Sequence, residues 1–65
     1  MRVRVERNGG RYTVYLLDSS GQIKDKFEVD EVFLDGKPAP HLVTTDVKSW
    51  MVYDLGGKTA MILRS

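Results

Sequence analysis

The chain has 65 residues and no cysteine, so its length predicts one domain, residues 1–65, with neither disulfides nor a thiolate-bound metal. A single histidine rules out a histidine pair as a metal site, and a hydrophobic share of 42% is typical of folded globular domains. The net charge of +1 excludes a strongly basic protein. The charge is nevertheless uneven, because arginines are concentrated in residues 1–11 and carboxylates in residues 18–35.

The first forty residues begin with a predicted hairpin. Residues 2–7 alternate between polar and apolar types, as expected for a strand with one solvated face, and residues 11–17 form the return strand. The turn is either Asn8-Gly9 or Gly9-Gly10, and the two registers keep every side chain on the same face. The predicted inward residues are Val3, Val5, Tyr12, Val14 and Leu16; the predicted outward residues are Arg2, Arg4, Glu6, Arg11, Thr13 and Tyr15.

A third strand is predicted over residues 22–29, after the polar turn 18–21. Its inward parity carries Ile23, Phe27 and Val29, although the charged Asp25 shares that parity.

The next residues carry weaker signals. Residues 30–34 fit either a short strand or one helical turn capped by Asp30. Residues 35–40 are expected to form a turn or loop, because Pro38 and Pro40 exclude central strand pairing. Residues 41–47 suggest a further strand.

The densest apolar run, residues 49–64, predicts a second hairpin that turns at Gly56-Gly57. In this register Met51 faces Ile62 on one side of the hairpin, and Val52 faces Met61 on the other. Both faces are apolar, which predicts cover on two sides, from a curled barrel or from a second subunit.

These elements predict an all-β domain of five to six short strands, a small antiparallel meander or an SH3-like or OB-like barrel. The chain shows no signal peptide and no apolar stretch long enough to cross a membrane, so we expect a cytoplasmic protein without a membrane partner.

Catalytic chemistry has little support in the sequence. His41 lies beside no evident nucleophile and is expected to be a surface or packing residue. The acids Asp30, Glu31 and Asp35 fit solvated turns and caps, and Gly57-Lys58-Thr59 lacks the earlier glycine of a phosphate loop. The chain is therefore predicted to be a non-enzymatic binding module without a metal or cofactor.

The arginine-rich outer face of the first hairpin is the leading functional prediction. Arginine suits phosphate and a tyrosine ring stacks on bases, so Arg2, Arg4, Arg11 and Tyr15 are expected to bind DNA or RNA. The competing interpretation is that these charges protect a strand edge, with Glu6 pairing Arg11 across the hairpin.

The alternative function is a homo-oligomeric interaction or assembly subunit. Its predicted interface is one face of the last hairpin, because tryptophan and methionine are enriched at interfaces. This face carries Trp50, Val52, Met61 and Leu63.

The segments 8–15 and 18–21, with glycine, arginine and aromatic residues before an Asp- and Gly-containing turn, resemble the three-stranded arm-type DNA-binding domains of tyrosine recombinases. The resemblance covers about 25 residues and implies DNA binding. The rest of the chain departs from that pattern, because a proline-broken segment and another hairpin replace the helix expected after the third strand.

Overall fold

The computed structural model describes residues 1–39 and 43–65, so His41 lies outside the described residues. The described residues contain no helix, which confirms the all-β prediction. Residues 1–39 and 43–65 form eight strands, more than the five to six expected. They are β1 (Arg2–Asn8), β2 (Arg11–Leu17), β3 (Ile23–Val29), β4 (Glu31–Leu34), β5 (Lys37–Pro38), β6 (Val43–Asp46), β7 (Ser49–Leu55) and β8 (Lys58–Arg64).

The first sheet has the strand order β3-β2-β1-β6, and all its pairs are antiparallel. Asn8 pairs with Arg11, so the turn consists of Gly9 and Gly10. Gly9 has φ 66°, which a residue with a Cβ rarely adopts. The predicted inward face is confirmed, since its valines and leucine are buried and its tyrosine packs against them: Val3, Val5, Tyr12, Val14 and Leu16.

A β-bulge changes the start of β3. Leu16 pairs with Asp25, but Leu17 pairs with Ile23, so Lys24 is an extra residue on the β3 side. Because of this insertion, Ile23 lies opposite an outward residue and is 61% exposed. The predicted inward position of Ile23 is therefore wrong, whereas Phe27 and Val29 do face the core.

The second sheet has the order β5-β4-β8-β7. Of the ambiguous residues 30–34, residues 31–34 form a strand rather than a helical turn, and this strand, β4, runs parallel to β8. Asp35 and Gly36 turn the chain into β5, which has only two residues and lies at the sheet edge, where Pro38 is tolerated.

The hairpin of β7 and β8 has the predicted register, from Ser49 opposite Arg64 to Leu55 opposite Lys58. Its two-residue turn places Gly56 at φ 60° and Gly57 at φ 89°. Positive φ at both positions is the requirement of a type I′ turn, whose twist matches that of the two strands.

The core lies between the two sheets. The first sheet contributes Val3, Val5 and Val14, and the second contributes Met61 and Leu63; all five side chains are at most 1% exposed. At one end of the core the rings of Phe27 and Trp50 lie 5.0 Å apart, so they link β3 to β7.

Two aspartates fasten β4 to the ends of β8. Asp30 accepts a hydrogen bond from the Thr59 backbone N–H at 2.8 Å, and Asp35 accepts one from the Ser65 N–H at 2.9 Å. The Thr59 hydrogen bond, with the Arg11 charge, lowers the pKa of Asp30, and the Ser65 hydrogen bonds lower the pKa of Asp35. These acids act as structural ties, consistent with the expected turn and cap roles.

Acid is expected to weaken the fold through these two carboxylates. Their folded-state pKa values lie below the ordinary carboxyl value of about 3.9, so their stabilisation is complete above that pH and disappears as the pH falls through the folded-state values. The double variant Asp30→Asn, Asp35→Asn should show a smaller loss of unfolding free energy between neutral pH and pH of about 3, measured by urea denaturation. Asp54→Asn at the exposed hairpin tip is the control. If the double variant loses as much unfolding free energy on acidification as the native chain, Asp30 and Asp35 do not stabilise the fold in this way.

Candidate interaction surfaces

The outer face of the first sheet brings the predicted nucleic-acid residues onto one surface. Arg4 lies opposite Tyr15, and Tyr15 lies opposite Lys26, so two cations flank one aromatic ring across three strands. Thr13, predicted to lie on this same face, does so but is only 5% exposed, because it sits between Glu6 and Glu28 on the neighbouring strands.

Each arginine of this face also contacts a carboxylate. The distances are 3.5 Å for Arg2–Asp46, 2.7 Å for Arg4–Glu6 and 3.1 Å for Arg11–Asp30. The predicted pairing of Glu6 with Arg11 is wrong. Glu6 lies opposite Thr13 and instead pairs with Arg4 on its own strand, while Arg11 reaches the residue after β3.

The balance of charge on this face is close to neutral. The face carries four cations, including Lys26, and three carboxylates from β1, β3 and β6. Exposed ion pairs are weak, so phosphate can compete for these arginines, but the face lacks the strong positive excess that usually accompanies nucleic-acid binding.

The predicted interface on the last hairpin lies mostly inside the domain. Met61 and Leu63 are 0% and 1% exposed, and Trp50 is half-buried against the core. Met61 and Leu63 cannot contact a partner, because the first sheet of the same chain already covers them. Val52 remains at the rim of this face, 37% exposed.

The opposite face of the second sheet is the one that the described residues leave uncovered. One row crosses all four strands, and its members are apolar: Pro38, Phe33, Ile62 and Met51. Next to the row, Tyr53 and Leu55 project from the same side of β7. We call these six residues the apolar stripe. Met51, Tyr53 and Leu55 are 52%, 45% and 60% exposed, so the apolar surface is greatest at the β7 end of the stripe.

The stripe ends at a free strand edge, since no described strand pairs with the outer side of β7. Leu55 and Lys58 flank a two-residue loop, so they form a hydrogen-bonded pair, and the pattern repeats at every second residue of the ladder. The backbone N–H and C=O groups of Trp50, Val52 and Asp54 therefore point away from β8, toward the free edge.

The other described edges carry features that discourage pairing. On β3 four of seven residues are charged, β5 is two residues long and contains Pro38, and β6 has four residues. By contrast β7 has seven residues, no proline and one charged side chain, Asp54. Short, charged or proline-containing edges are the usual protection against strand addition, and β7 is long, contains no proline and carries a single charge near its end.

An open cleft of about 300 Å³ lies beside the first turn, and its walls include Arg7, Tyr12 and Phe33 together with Asp30 and Glu31. The Asp30 carboxylate is already bound by Thr59 and Arg11, and its lowered pKa keeps it ionised at neutral pH. It is thus poorly suited to donate a proton. Among the described residues, no three His, Cys, Asp or Glu side chains come together as metal ligands.

No family model, curated protein or solved structure matches the chain. The part of the chain that the structure describes contains no helix long and apolar enough to cross a membrane. The surfaces described above are therefore the basis for a functional interpretation.

Proposed function

We propose that this chain is a small, non-enzymatic protein-interaction module that binds another polypeptide along the free edge of β7 and the adjoining apolar stripe. The observation that carries the proposal is the coincidence of the two features. An apolar row crosses the whole second sheet and ends at the long edge strand that lacks protection.

Strand addition suits this edge physically. An extended peptide placed beside β7 gains main-chain hydrogen bonds with Trp50, Val52 and Asp54, whose polar groups point outward. Its alternate side chains lie against Met51 and Tyr53, which removes exposed apolar surface from water. The backbone thus supplies affinity, and the stripe supplies selectivity for apolar side chains.

A synthetic peptide tests whether the edge accepts a strand. We expect a peptide of alternating valine and threonine, with a lysine at each end, to slow hydrogen exchange at the Trp50, Val52 and Asp54 amides. The amides of Met51 and Tyr53 already bond to β8 and should change little. Two-dimensional NMR of the labelled protein provides the readout.

The matched control for this titration is the same peptide with N-methyl groups on alternate residues, which removes the hydrogen-bond donors of one edge. Equal effects of the two peptides would contradict strand addition at β7. So would the absence of any response at about 1 mM peptide, because binding would then be weaker than roughly −4 kcal/mol.

Nucleic-acid binding is the second candidate, supported by the row that places Tyr15 between Arg4 and Lys26. The tyrosine ring would stack on a base while the two cations contact phosphates. Arg2 and Arg11 extend this surface along the sheet. Their exposed ion pairs contribute little and can open to admit phosphate.

If this second candidate holds, labelled single-stranded DNA or RNA should bind with a log–log salt slope of about −2 to −3 between about 50 and 200 mM salt. Arg4→Ala should weaken binding several-fold. Arg7→Ala removes the same charge from the opposite side of β1 and should have a smaller effect. Fluorescence anisotropy measures both, and equal losses in the two variants would indicate diffuse charge attraction instead of a site.

A further inference from the structure

We propose that the cleft beside the first turn binds a free aromatic amino acid in its zwitterionic form. The carboxylate of the ligand pairs with Arg7, its ammonium pairs with Glu31, and its ring lies against the apolar residues of the cleft. The cleft borders β4 and β5, at the opposite side of the second sheet from the free edge of β7. The inference therefore goes beyond the proposed function and does not depend on it.

Both sheets contribute to this cleft, which has a volume of about 300 Å³. Arg7 and Tyr12 come from the first hairpin, where they lie directly opposite each other next to the turn. Glu31 and Phe33 come from β4, and Pro38 comes from β5. The volume is at the lower end of the range for small-molecule sites, so the cleft suits a ligand about as large as an amino acid.

Two opposite charges of the cleft have no partner among the described residues. Arg7 and Glu31 are exposed, and neither makes an ion pair with the other or with any other described residue. The remaining charged residue of the cleft differs from them, because the Asp30 carboxylate is already held by Thr59 and Arg11. One cation and one carboxylate thus remain available to a ligand.

This pair of charges selects the charge of the ligand. An anion would be repelled by the carboxylate of Glu31, and a cation would be repelled by the guanidinium of Arg7. A zwitterion avoids both penalties. Its carboxylate can accept two parallel hydrogen bonds from the Arg7 fork, and its ammonium can donate hydrogen bonds to Glu31.

The apolar lining of the cleft favours an aromatic side chain on the ligand. Tyr12 and Phe33 are partly buried aromatic residues, and Val32 and Pro38 add apolar surface. Contact between aromatic rings is favourable, and burial of the ligand ring removes apolar surface from water. Because the ligand is small and the cleft is open, we expect a dissociation constant on the order of 1 mM.

Four ligands test the assignment by two-dimensional NMR of the labelled chain. Phenylalanine has all three groups, whereas phenylpropionate lacks the ammonium, phenylethylamine lacks the carboxylate and alanine lacks the ring. Phenylalanine at up to about 10 mM and neutral pH should shift the amide signals of Gly10, Tyr12 and Phe33 and leave those of Trp50 and Val52 unchanged. Each of the other ligands should bind at least about threefold more weakly, because it lacks an ion pair or the ring contact.

Two substitutions assign the charges to their residues. Arg7→Gln should remove the advantage of phenylalanine over phenylethylamine, because the ligand carboxylate loses its partner. Glu31→Gln should remove the advantage of phenylalanine over phenylpropionate. The matched controls, Lys24→Gln and Glu28→Gln, each remove an exposed charge outside the cleft and should preserve both advantages. All four side chains are exposed, and the amide spectrum of each variant verifies its fold.

Three results would overturn the proposal. They are the absence of a shift at the cleft amides with about 10 mM phenylalanine, equal affinity for phenylalanine, phenylpropionate and phenylethylamine, and equal effects of Arg7→Gln and Lys24→Gln.

The valine–threonine peptide distinguishes these failures from failure of the proposed function, because it probes the β7 amides. A chain whose cleft amides respond to phenylalanine while its β7 amides ignore the peptide retains this site and loses the proposed function. The reverse result removes this site and leaves the proposed function standing.

Discussion

Replacement of Met61 by alanine is expected to remove a large share of the stability of this domain. Met61 is 0% exposed and lies on β8, the strand that pairs with both β4 and β7. Truncation of a buried methionine leaves a cavity and typically costs about 2–5 kcal/mol. A domain of this size has only about 3–10 kcal/mol in total. Urea denaturation followed by Trp50 emission measures the change.

The chain contains its own control for this experiment. Met51 is the same residue type on the adjacent strand but is 52% exposed, so Met51→Ala should change the unfolding free energy of the monomer by no more than about 0.5 kcal/mol. A similar loss in both variants would mean that β8 does not form the centre of the core.

Proline at two neighbouring positions of β7 should have opposite consequences. The Met51 N–H points toward β8, so Met51→Pro removes a hydrogen bond of the β7–β8 ladder and should destabilise the fold by about 2 kcal/mol or more. The Val52 N–H points toward the free edge, where proline is tolerated. Val52→Pro should therefore leave the monomer within about 1 kcal/mol of the native chain.

The two variants also separate folding from association. Because Val52→Pro removes the central outward donor, it should weaken pairing of β7 with another strand about tenfold while the domain stays folded. Thermal unfolding monitors the fold, and the peptide titration monitors pairing at the β7 edge. If Val52→Pro unfolds the domain and Met51→Pro does not, the assigned directions of the β7 backbone groups are reversed.

Both hairpins, and the register of the second, were predictable from the sequence because the signals are local; the first turn was left open between Asn8-Gly9 and Gly9-Gly10, and the structure selects Gly9-Gly10. Gly56-Gly57 marks the second turn, the segment 8–10 marks the first, and alternation in residues 2–7 identifies the solvated face in either register of the first hairpin. The position of Ile23 was not predictable in the same way. A bulge at Lys24 reverses the parity of the residues before it, and nothing in the local composition marks that insertion.

The parallel pairing of β4 with β8 illustrates a second limit. Residues 30–34 are too few to show a strand or helix period, and their pairing partner begins more than twenty residues later. Pairing with β8 and the hydrogen bonds from Thr59 to Asp30 and from Ser65 to Asp35 stabilise the strand, and they exist only after the chain has folded. Tertiary contacts override weak local preference in such short segments.

The candidate surfaces were less predictable than the fold. Both faces of the last hairpin are apolar, so the sequence alone does not identify which face the first sheet covers. The burial of Met61 and Leu63 answers that question and leaves Met51, Tyr53 and Leu55 exposed. Likewise, the partners of Arg2 and Arg11 are Asp46 and Asp30, residues far away in the chain, so the neutralisation of the arginine face emerges only from the fold.

The most direct measurement of the central claim is hydrogen exchange at the β7 amides as a function of the concentration of the valine–threonine peptide. If the free edge of β7 is the interaction site, the Trp50, Val52 and Asp54 amides should become protected as the peptide concentration rises, while exposed amides of β3 stay unchanged. Fast exchange at those three amides under conditions where the peptide is bound would contradict the claim, because binding would then use another surface.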